Sequence, residues 1–471
     1  MRRLLLIGLL LAGAATALER ARLPASVSQA LAQAGIAEAA VGIHVQEIGA
    51  EQPVLALGEA RVLNPASTIK LVTTYAALDQ LGPAFQWVTE AYAGAPLQAD
   101  VLPGDLILRG TGDPRLTLEN FWLLLRNLRA RGLREIRGDL VLDRSYFAGV
   151  DGADPGSFDN EPTRPYNTQP DALLVNFKSV RLTFVPDAER RSVKILAEPA
   201  LPQLQIANNL VLDGESCGDW VARLKISATG DAGSARLGFA GSYALACGEK
   251  DRHFSLLGPM QYVHAVFTLL WRELGGVFAG GVRDGAAPSG AKPLLSAASQ
   301  PLTDIVRDVN KFSNNVMARQ LFLATGAQLL GAPATADKSL RATRQWLDGR
   351  RLPMPELVLE NGSGLSRSER ISARSLAQLL MHAGRSAVAP EFIGSLPLVA
   401  VDGTMRRRLA GADVAGQAHI KTGSLAGVRS LAGYVLDARG RLMVVVFLVN
   451  HARAAEALGA QDALLKWVYA R

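Results

Sequence analysis

Ser67 and Lys70 are two side chains whose types and spacing could carry out nucleophilic chemistry. A helix is predicted to begin at Asn64 and Pro65, because Asn is a good N-cap and Pro suits the first helical position. Lys70 then lies one turn after Ser67 on the same face, where its amine could take the proton of the hydroxyl. The amide of Ser67 could hold negative charge on an attacked carbonyl. Taken alone, such a pattern is more often a helix cap beside a solvated lysine.

The segments around this pair predict a mixed helix and strand fold. Apolar residues repeat at helical spacing over 69–78, and Gly82-Pro83 would end that helix. Short strand-like runs separated by Gly, Asp and Pro make 93–257 a β-rich region, whereas 292–471 is again α/β. Further helices are predicted over 24–34, 120–130, 262–274, 302–310, 315–325, 372–383 and 454–469, and strands over 40–48, 53–57, 181–185, 193–196, 222–226, 235–239, 418–422, 428–436 and 442–449.

Length and composition indicate a multidomain globular protein. The chain has 471 residues, which suggests several domains, and 49% of them are hydrophobic, which is ample for packed cores. The formal net charge is +7. This positive charge suits a protein that works in an anionic cell envelope. Because the Lys and Arg residues are dispersed along the chain, the charge does not indicate nucleic-acid binding.

The first residues predict export. Residues 1–17 begin with Arg2-Arg3, continue as an apolar run and end in Ala15-Thr16-Ala17, which is the pattern of a cleaved signal peptide. An uncleaved anchor is the alternative. No later stretch is long and apolar enough to span a bilayer, so we expect a soluble mature protein in the periplasm or outside the cell.

Cys217 and Cys247 are the two cysteines of the chain. In an exported protein they are expected to form a disulfide, with two buried thiols as the alternative. The six histidines form no H-E-x-x-H pattern and there is no C-x-x-C. We therefore expect no metal site.

Two later motifs complete the pattern that Ser67 and Lys70 begin. Ser313-Asn314-Asn315 is an S-x-N triplet in a loop that opens a helix, and Lys421-Thr422-Gly423 is a K-T-G triplet on a predicted strand. S-x-x-K, S-x-N and K-T-G in this order are the signature of penicillin-recognising serine acyl enzymes. Each triplet also has a plain structural reading, as a helix cap at Ser313 or as a solvated lysine at Lys421.

The spacing of the motifs refines the resemblance. Ser313 follows Ser67 by 246 positions, so separate β-rich structure must be inserted between them. The chain thereby resembles the three-domain D-alanyl-D-alanine carboxypeptidase/endopeptidase family, the class C low-molecular-mass penicillin-binding proteins. The stretches 138–147, 165–167, 170–177 and 360–367 resemble the same family.

The resemblance implies an α+β fold with a split domain. A β-lactamase/transpeptidase-like domain would occupy 18–92 and 292–471. A second domain, 93–178 and 258–291, would be inserted in it, with a small β-rich third domain, 179–257, nested in the second.

The resemblance also implies roles for the motif residues. Ser67 would attack the carbonyl of the penultimate D-Ala, and Lys70 would accept its proton, for which its pKa must fall well below the usual value. A second cation, Lys421, and burial would both lower it. Ser313 would pass a proton to the leaving amine with support from Lys421. No cofactor is implied.

Substrate contacts follow from the same resemblance. Asn315 would bind the substrate amide, and Thr422 would bind the terminal carboxylate. Gly423, the last residue of the K-T-G triplet, belongs to the same group of substrate-binding positions. The amides of Ser67 and Ser424 would form the oxyanion hole. In this family a further group of positions lines the site where the diamino-acid side chain of the peptide rests. In this chain these positions are Asp143, Phe147 and Arg367. Asp143 and Arg367 could instead serve only a contact between domains.

The expected function is that of a serine D,D-carboxypeptidase, and of a D,D-endopeptidase, acting on peptidoglycan stem peptides. β-Lactam antibiotics would be covalent inhibitors. Two competing hypotheses stay open: a β-lactamase on the same core, and a non-catalytic peptidoglycan-binding protein. The oligomeric state, a homodimer included, is open as well.

Overall fold

The computed structural model describes residues 22–150 and 154–471. It contains 32% helix and 27% strand, which confirms the predicted mixed fold. The predicted signal peptide lies outside the described residues. Within them, no helix combines the length and the apolar character needed to cross a membrane.

The elements are numbered in chain order. The helices are α1 Ala25–Gln33, α2 Lys70–Leu81, α3 Leu118–Ala130, α4 Pro259–Glu273, α5 Leu302–Lys311, α6 Asn315–Leu330, α7 Ala336–Gly349, α8 Ala373–Ala383, α9 Ala389–Ser395 and α10 Leu458–Tyr469. The strands are β1 Val41–Glu47, β2 Leu55–Leu57, β3 Val62–Leu63, β4 Val88–Ala93, β5 Val101–Leu102, β6 Leu106–Arg109, β7 Glu135–Ile136, β8 Leu140–Asp143, β9 Val180–Asp187, β10 Ser192–Glu198, β11 Leu204–Asp213, β12 Leu224–Gly230, β13 Ala235–Ala244, β14 Lys250–Phe254, β15 Val277–Phe278, β16 Val282–Asp284, β17 Leu295–Ala298, β18 Ile371–Ser372, β19 Ala418–Leu425, β20 Val428–Leu436 and β21 Leu442–Asn450.

The chain divides into two compact units. The first contains the described residues up to Phe85 together with Pro301–Leu330 and Ala336–Arg471. The second contains Gln86–Gln300 and Gly331–Thr335. The first unit is therefore assembled from separate parts of the sequence, as a split domain requires.

A five-stranded antiparallel sheet forms the centre of the first unit, in the order β19-β20-β21-β1-β2. Alternate residues of β21, including Val445 and Phe447, share a core with α1 and α10. The residues between them, such as Val446, are equally buried, and α8 contacts the same strand. The sheet is thus covered on both faces, which explains why β21 is apolar at nearly every position.

The helices that carry the motifs lie in this unit. α2 contacts α5, α6 and α8. α6 is buried at consecutive positions over 316–327, which is the pattern of a helix enclosed by protein on all sides. Burial of α6 begins at Val316, whereas Ser313 and Asn315, just before and at its first residue, are half-buried.

The second unit is rich in strands. A five-stranded sheet has the order β16-β8-β6-β4-β17, and three-stranded sheets have the orders β15-β7-β5, β10-β9-β14 and β11-β13-β12. Cys217 and Cys247 form the predicted disulfide, and Cys247 belongs to the core of this unit.

Most predicted elements are present, with a few differences. The α-helix expected to begin at Asn64 starts instead with a 3₁₀ turn, Ala66–Ile69, and becomes α-helical only at Lys70. The final helix likewise begins with a 3₁₀ turn, Ala454–Ala457. The strand predicted over 222–226 is β12, Leu224–Gly230. β4, β11, β14, α7, α9 and several strands of two to four residues were not predicted.

Candidate active site

The backbone around Ser67 is fixed by two side chains that are far apart in the sequence, Asn64 and Ser430. Ala66 adopts a positive φ of 45°, which is unusual for a residue with a side chain. Its N–H donates to Asn64 Oδ1 at 2.8 Å, and Ser430 of β20 donates to the carbonyl oxygen of Pro65 at 2.6 Å. These bonds hold Ser67 in the 3₁₀ turn at the start of α2.

Lys70 is fully buried directly beside this serine. Its Nζ donates to Ser67 Oγ at 3.1 Å and to Asn315 Oδ1 at 2.6 Å. A third bond goes to the carbonyl oxygen of Ser363. All three acceptors are uncharged, so an ammonium group at this position has hydrogen bonds but no ion pair.

The environment lowers the pKa of Lys70 well below its usual value. Burial is the largest cause, and the positive charge of Lys421 adds to it. The carboxylate of Glu369 acts in the opposite direction. Burial and a second cation are the two causes expected from the sequence, whereas Glu369 has no place in any of the three motifs.

Lys421 and Ser313 form a second pair of the same kind. Lys421 is fully buried, and its Nζ donates to Ser313 Oγ and to the carbonyl oxygen of Thr422, both at 2.8 Å. Burial lowers the pKa of Lys421 to about 7. Lys421 is therefore not the solvated lysine of the alternative interpretation.

Ser313 does not cap the helix that follows it. The N-terminal N–H of Met317 is bonded by Asn314 Oδ1 at 3.0 Å, which leaves the Ser313 hydroxyl directed at Lys421. Ser313 also has a positive φ of 55°. Such backbone conformations cost on the order of 1–3 kcal/mol in a residue with a side chain and concentrate at functional sites.

β19 passes directly beside the Ser67 turn. A Cβ at Gly423 would lie 2.2 Å from Ser430 Oγ and 2.8 Å from both the Ser67 amide nitrogen and the Pro65 carbonyl oxygen. Only glycine fits at this distance. The third residue of the K-T-G triplet thus lets the strand approach the backbone of the serine.

Thr422 and Ser424 flank this contact. The Thr422 hydroxyl forms a hydrogen bond of 2.8 Å with the hydroxyl of Thr404, which lies in the 3₁₀ turn Gly403–Met405. Ser424 is exposed. Thr404 was not identified from the sequence, because a lone threonine in a turn carries no pattern.

The residues expected to recognise the peptide side chain lie in both units. In the second unit, Asp143 is buried and accepts the hydroxyl of Ser145 at 2.6 Å and the N–H of Ala287 at 2.9 Å. Phe147 is buried too and packs against Gly112. In the first unit, Arg367 is exposed. It donates to the carbonyl oxygen of Ala426 at 3.2 Å.

Two serine–lysine pairs therefore meet in one site of the first unit. Each hydroxyl is within hydrogen-bond distance of an amine whose pKa is lowered. Such an arrangement can move protons to and from two hydroxyl groups near neutral pH, which is the requirement for a serine nucleophile and a proton donor. Within the described residues, no group of three or more His, Cys, Asp or Glu side chains could hold a metal ion.

Fold and motifs are those of a peptidase family, and the match covers almost the whole chain. The chain belongs to the D-Ala-D-Ala carboxypeptidase 3 (S13) family, whose profile matches residues 23–470. This confirms the family resemblance that the motif order indicates.

Individual relatives agree with this assignment. D-alanyl-D-alanine carboxypeptidase of Actinomadura sp. (strain R39) is 30% identical over 428 residues, covering 85% of this chain and 76% of that protein. D-alanyl-D-alanine carboxypeptidase DacB of Haemophilus influenzae is 26% identical over 412 residues, covering 87% and 85%. A crystal structure of penicillin binding protein 4 (dacB) from Haemophilus influenzae has a TM-score of 0.79 and 26% identity, covering 94% of this chain and 99% of that one.

Proposed function

We propose that this protein is a serine-type D-Ala-D-Ala carboxypeptidase that forms an acyl-enzyme on Ser67. One observation carries the proposal: the Lys70 amine lies 3.1 Å from Ser67 Oγ and is fully buried, so that it can act as a base at neutral pH. Membership of the S13 family supports the same activity.

Acylation would begin with attack of Ser67 Oγ on the carbonyl carbon of the penultimate D-Ala. A C–O bond forms, the hydroxyl proton passes to Lys70, and the carbonyl oxygen becomes an oxyanion. The backbone amides of Ser67 and Ser424 would stabilise that charge. The contact of Gly423 with the Ser67 amide nitrogen supports this role, because it brings β19 alongside the nucleophile.

Collapse of the tetrahedral intermediate would then break the C–N bond. Ser313 would pass its proton to the departing amine and recover one from Lys421, whose Nζ lies 2.8 Å from Ser313 Oγ. The proton that Lys70 took from Ser67 would then pass to Lys421, so that both lysines regain their starting states. Water would hydrolyse the acyl-enzyme in the second half of the reaction: neutral Lys70 would take a proton from the water as it attacks the ester carbonyl, and would return that proton to Ser67 Oγ as the bond to Ser67 breaks. No metal or redox group takes part in these steps.

Three further groups would bind the stem peptide. Because Asn315 Oδ1 accepts from Lys70, its amide N–H₂ is the part that would bind a substrate carbonyl oxygen. Thr422 would bind the terminal carboxylate, next to Gly423 on β19. Specificity for the diamino-acid side chain would come from Asp143, Phe147 and Arg367.

The same nucleophile would cut D-Ala–diamino-acid cross-links, because the two reactions differ only in the amine that leaves. We further propose that the protein acts on peptidoglycan in the periplasm, exported by the leader 1–17. The Cys217–Cys247 disulfide supports export, since such bonds persist in oxidising compartments.

We also propose that the predicted third domain, 179–257, is nested in the second domain, 93–178 and 258–291. The two sheets β10-β9-β14 and β11-β13-β12 support this arrangement, because all of their strands lie between Val180 and Phe254. The limits 18–92 and 292–471 for the transpeptidase-like domain remain part of the same proposal.

Intact mass after incubation with benzylpenicillin tests the proposed mechanism, with Ser67→Ala as the matched variant. A β-lactam presents a reactive amide to the same nucleophile, so we expect a stable adduct on the wild type and none on the variant. Muropeptide digestion followed by chromatography would then separate removal of terminal D-Ala from cleavage of cross-links.

The other outcomes each select a different function. If the wild type forms no adduct and the antibiotic stays intact, the result would indicate a non-catalytic peptidoglycan-binding protein. A hydrolysed antibiotic with no lasting adduct would identify a β-lactamase.

A further inference from the structure

Glu369 is a fully buried carboxyl group outside all three motifs. Its Oε1 accepts the backbone N–H groups of Glu360 at 3.3 Å, Asn361 at 3.1 Å and Gly362 at 3.1 Å. Its Oε2 is buried as well and makes no hydrogen bond within the described residues. A buried carboxylate oxygen without a donor is costly, and nearby positive charges are the groups that can offset this cost.

The backbone that Glu369 holds is also in contact with α2. Lys70 Nζ donates to the carbonyl oxygen of Ser363, and Thr73, one turn further along the helix, donates to the carbonyl oxygen of Gly362 at 2.7 Å. Three hydrogen bonds to one carboxylate oxygen therefore fix the turn that presents an acceptor to the Lys70 amine.

The charged groups that face Glu369 come from two helices. Burial raises the pKa of Glu369 above its usual value, whereas its three backbone hydrogen bonds and the charge of Lys70 of α2 act in the opposite direction. Arg319 of α6 interacts electrostatically with both Glu369 and Glu360. Lys70 itself is acted on by two cations, Lys421 and Arg319, and by the one carboxylate of Glu369. Glu369 is thus the counter-charge in a mainly positive site.

We propose that Glu369 is a positioning residue of the acyl-transfer site that acts through Lys70. Its carboxylate fixes the turn that carries the Ser363 carbonyl, and its negative charge stabilises the Lys70 ammonium that forms when the amine takes the proton of Ser67. The inference rests on the proposed function. It assigns Lys70, the general base, an anionic partner whose charge makes the Lys70 amine a stronger base.

Glu369→Gln separates the charge from the hydrogen bonds, because the amide oxygen of Gln can still accept the three N–H groups. Without the charge, Lys70 becomes less basic. The acid limb of the pH–rate profile is the range in which the benzylpenicillin acylation rate rises as Lys70 loses its proton. We expect this limb to move to lower pH by about 1 unit. We expect the plateau rate to fall roughly threefold, because a weaker base takes the serine proton less readily.

Glu369→Asp is the conservative variant that restores the charge. Its acid limb should lie at the wild-type pH even where its shorter side chain lowers the rate. Acylation rate constants would be measured by intact mass from about pH 5 to about pH 10, which covers the range in which a depressed lysine titrates.

Glu356→Gln is the matched control. The Glu356 carboxylate also accepts a backbone N–H, from Ser372 at 3.2 Å, and a hydroxyl, from Ser375 at 2.6 Å, but Lys70 is not among the groups that shift its pKa. Its acid limb should match the wild type. Thermal denaturation of each variant checks that it is folded.

The outcomes distinguish this inference from the function on which it rests. An unmoved acid limb in Glu369→Gln, with or without a slower plateau, overturns the charge role. If that variant does not fold, a displaced limb in Glu369→Asp overturns it instead. Failure of the wild type to form any adduct refutes the proposed function first, and the inference with it.

Discussion

Replacing Lys421 by Met should change the stability of the first unit in opposite directions at neutral and at high pH. The pKa of Lys421 is about 7 in the folded protein, against an ordinary value of 10.5. At pH 7 the unfolded chain therefore binds more protons than the folded one, and this opposes folding by about 4 kcal/mol. The penalty is complete below the folded pKa and disappears as the pH rises towards the unfolded pKa.

Met would remove this penalty and also the two hydrogen bonds of Lys421 to Ser313 and Thr422. At about 1 kcal/mol for each bond, Lys421→Met should be more stable than the wild type by roughly 2 kcal/mol at neutral pH. At about pH 10.5 it should be less stable by roughly 2 kcal/mol, with a crossing near pH 9.

Hydrogen exchange of peptides from β19–β21 would measure this difference, because the chain has two compact units whose global transitions can overlap. Lys466→Met, at an exposed position on α10, controls for the general effect of the substitution. A Lys421→Met variant that is less stable than the wild type at neutral pH, by an amount independent of pH, would refute the conclusion that burial lowers the pKa of this lysine.

Two further perturbations test the geometry of each unit. Gly423→Ala should slow β-lactam acylation by roughly a hundredfold, because its Cβ would displace the Ser67 turn. Gly459→Ala, where a Cβ meets nothing within 4 Å, is the control and should leave the acylation rate unchanged. Equal rates for the two variants would contradict the close approach of β19 to the Ser67 turn. Replacing Cys217 and Cys247 together by Ser should lower the free energy of unfolding of the second unit by about 3–4 kcal/mol in urea denaturation, from closure of a 30-residue loop. Loss of acylation with unchanged stability would contradict a purely structural disulfide.

Elements with a regular apolar repeat were predictable, and others were not. α2 ends at Leu81 with Gly82 following, as its sequence indicates. α7 was missed because the side chains on its buried face are mostly small or polar, namely Ser339, Ala342 and Thr343 with Trp346 and Leu347. These positions have helical spacing and the opposite face is strongly polar, so the amphipathic pattern was present in the sequence. It was overlooked because only Trp346 and Leu347 on the buried face are large and apolar. β11 was missed for a similar reason, since most of its side chains are exposed or half-buried.

The order of the motifs was enough to select Ser67, Lys70, Ser313 and Lys421 as candidates, and the spacing of the motifs together with the further resembling stretches was enough to name the family. The order of motifs along the chain does not depend on how the chain folds. The sequence also indicated which lysine would have a neighbouring cation, because two lysines of one site must lie close together. The disulfide was expected because the chain has two cysteines and a predicted signal peptide, and the structure decided between that bond and two buried thiols.

Only the tertiary structure decided how the site is electrostatically balanced. The pKa of Lys70 depends on burial and on charges from distant parts of the chain, Lys421, Arg319 and Glu369. Glu369 belongs to no motif, and its importance comes from complete burial beside the turn that contacts Lys70. Desolvation and Coulomb interactions depend on distance and exposure, which are set when segments far apart in sequence pack together. Local residue spacing therefore predicts which side chains react, whereas packing determines the protonation state in which they do so.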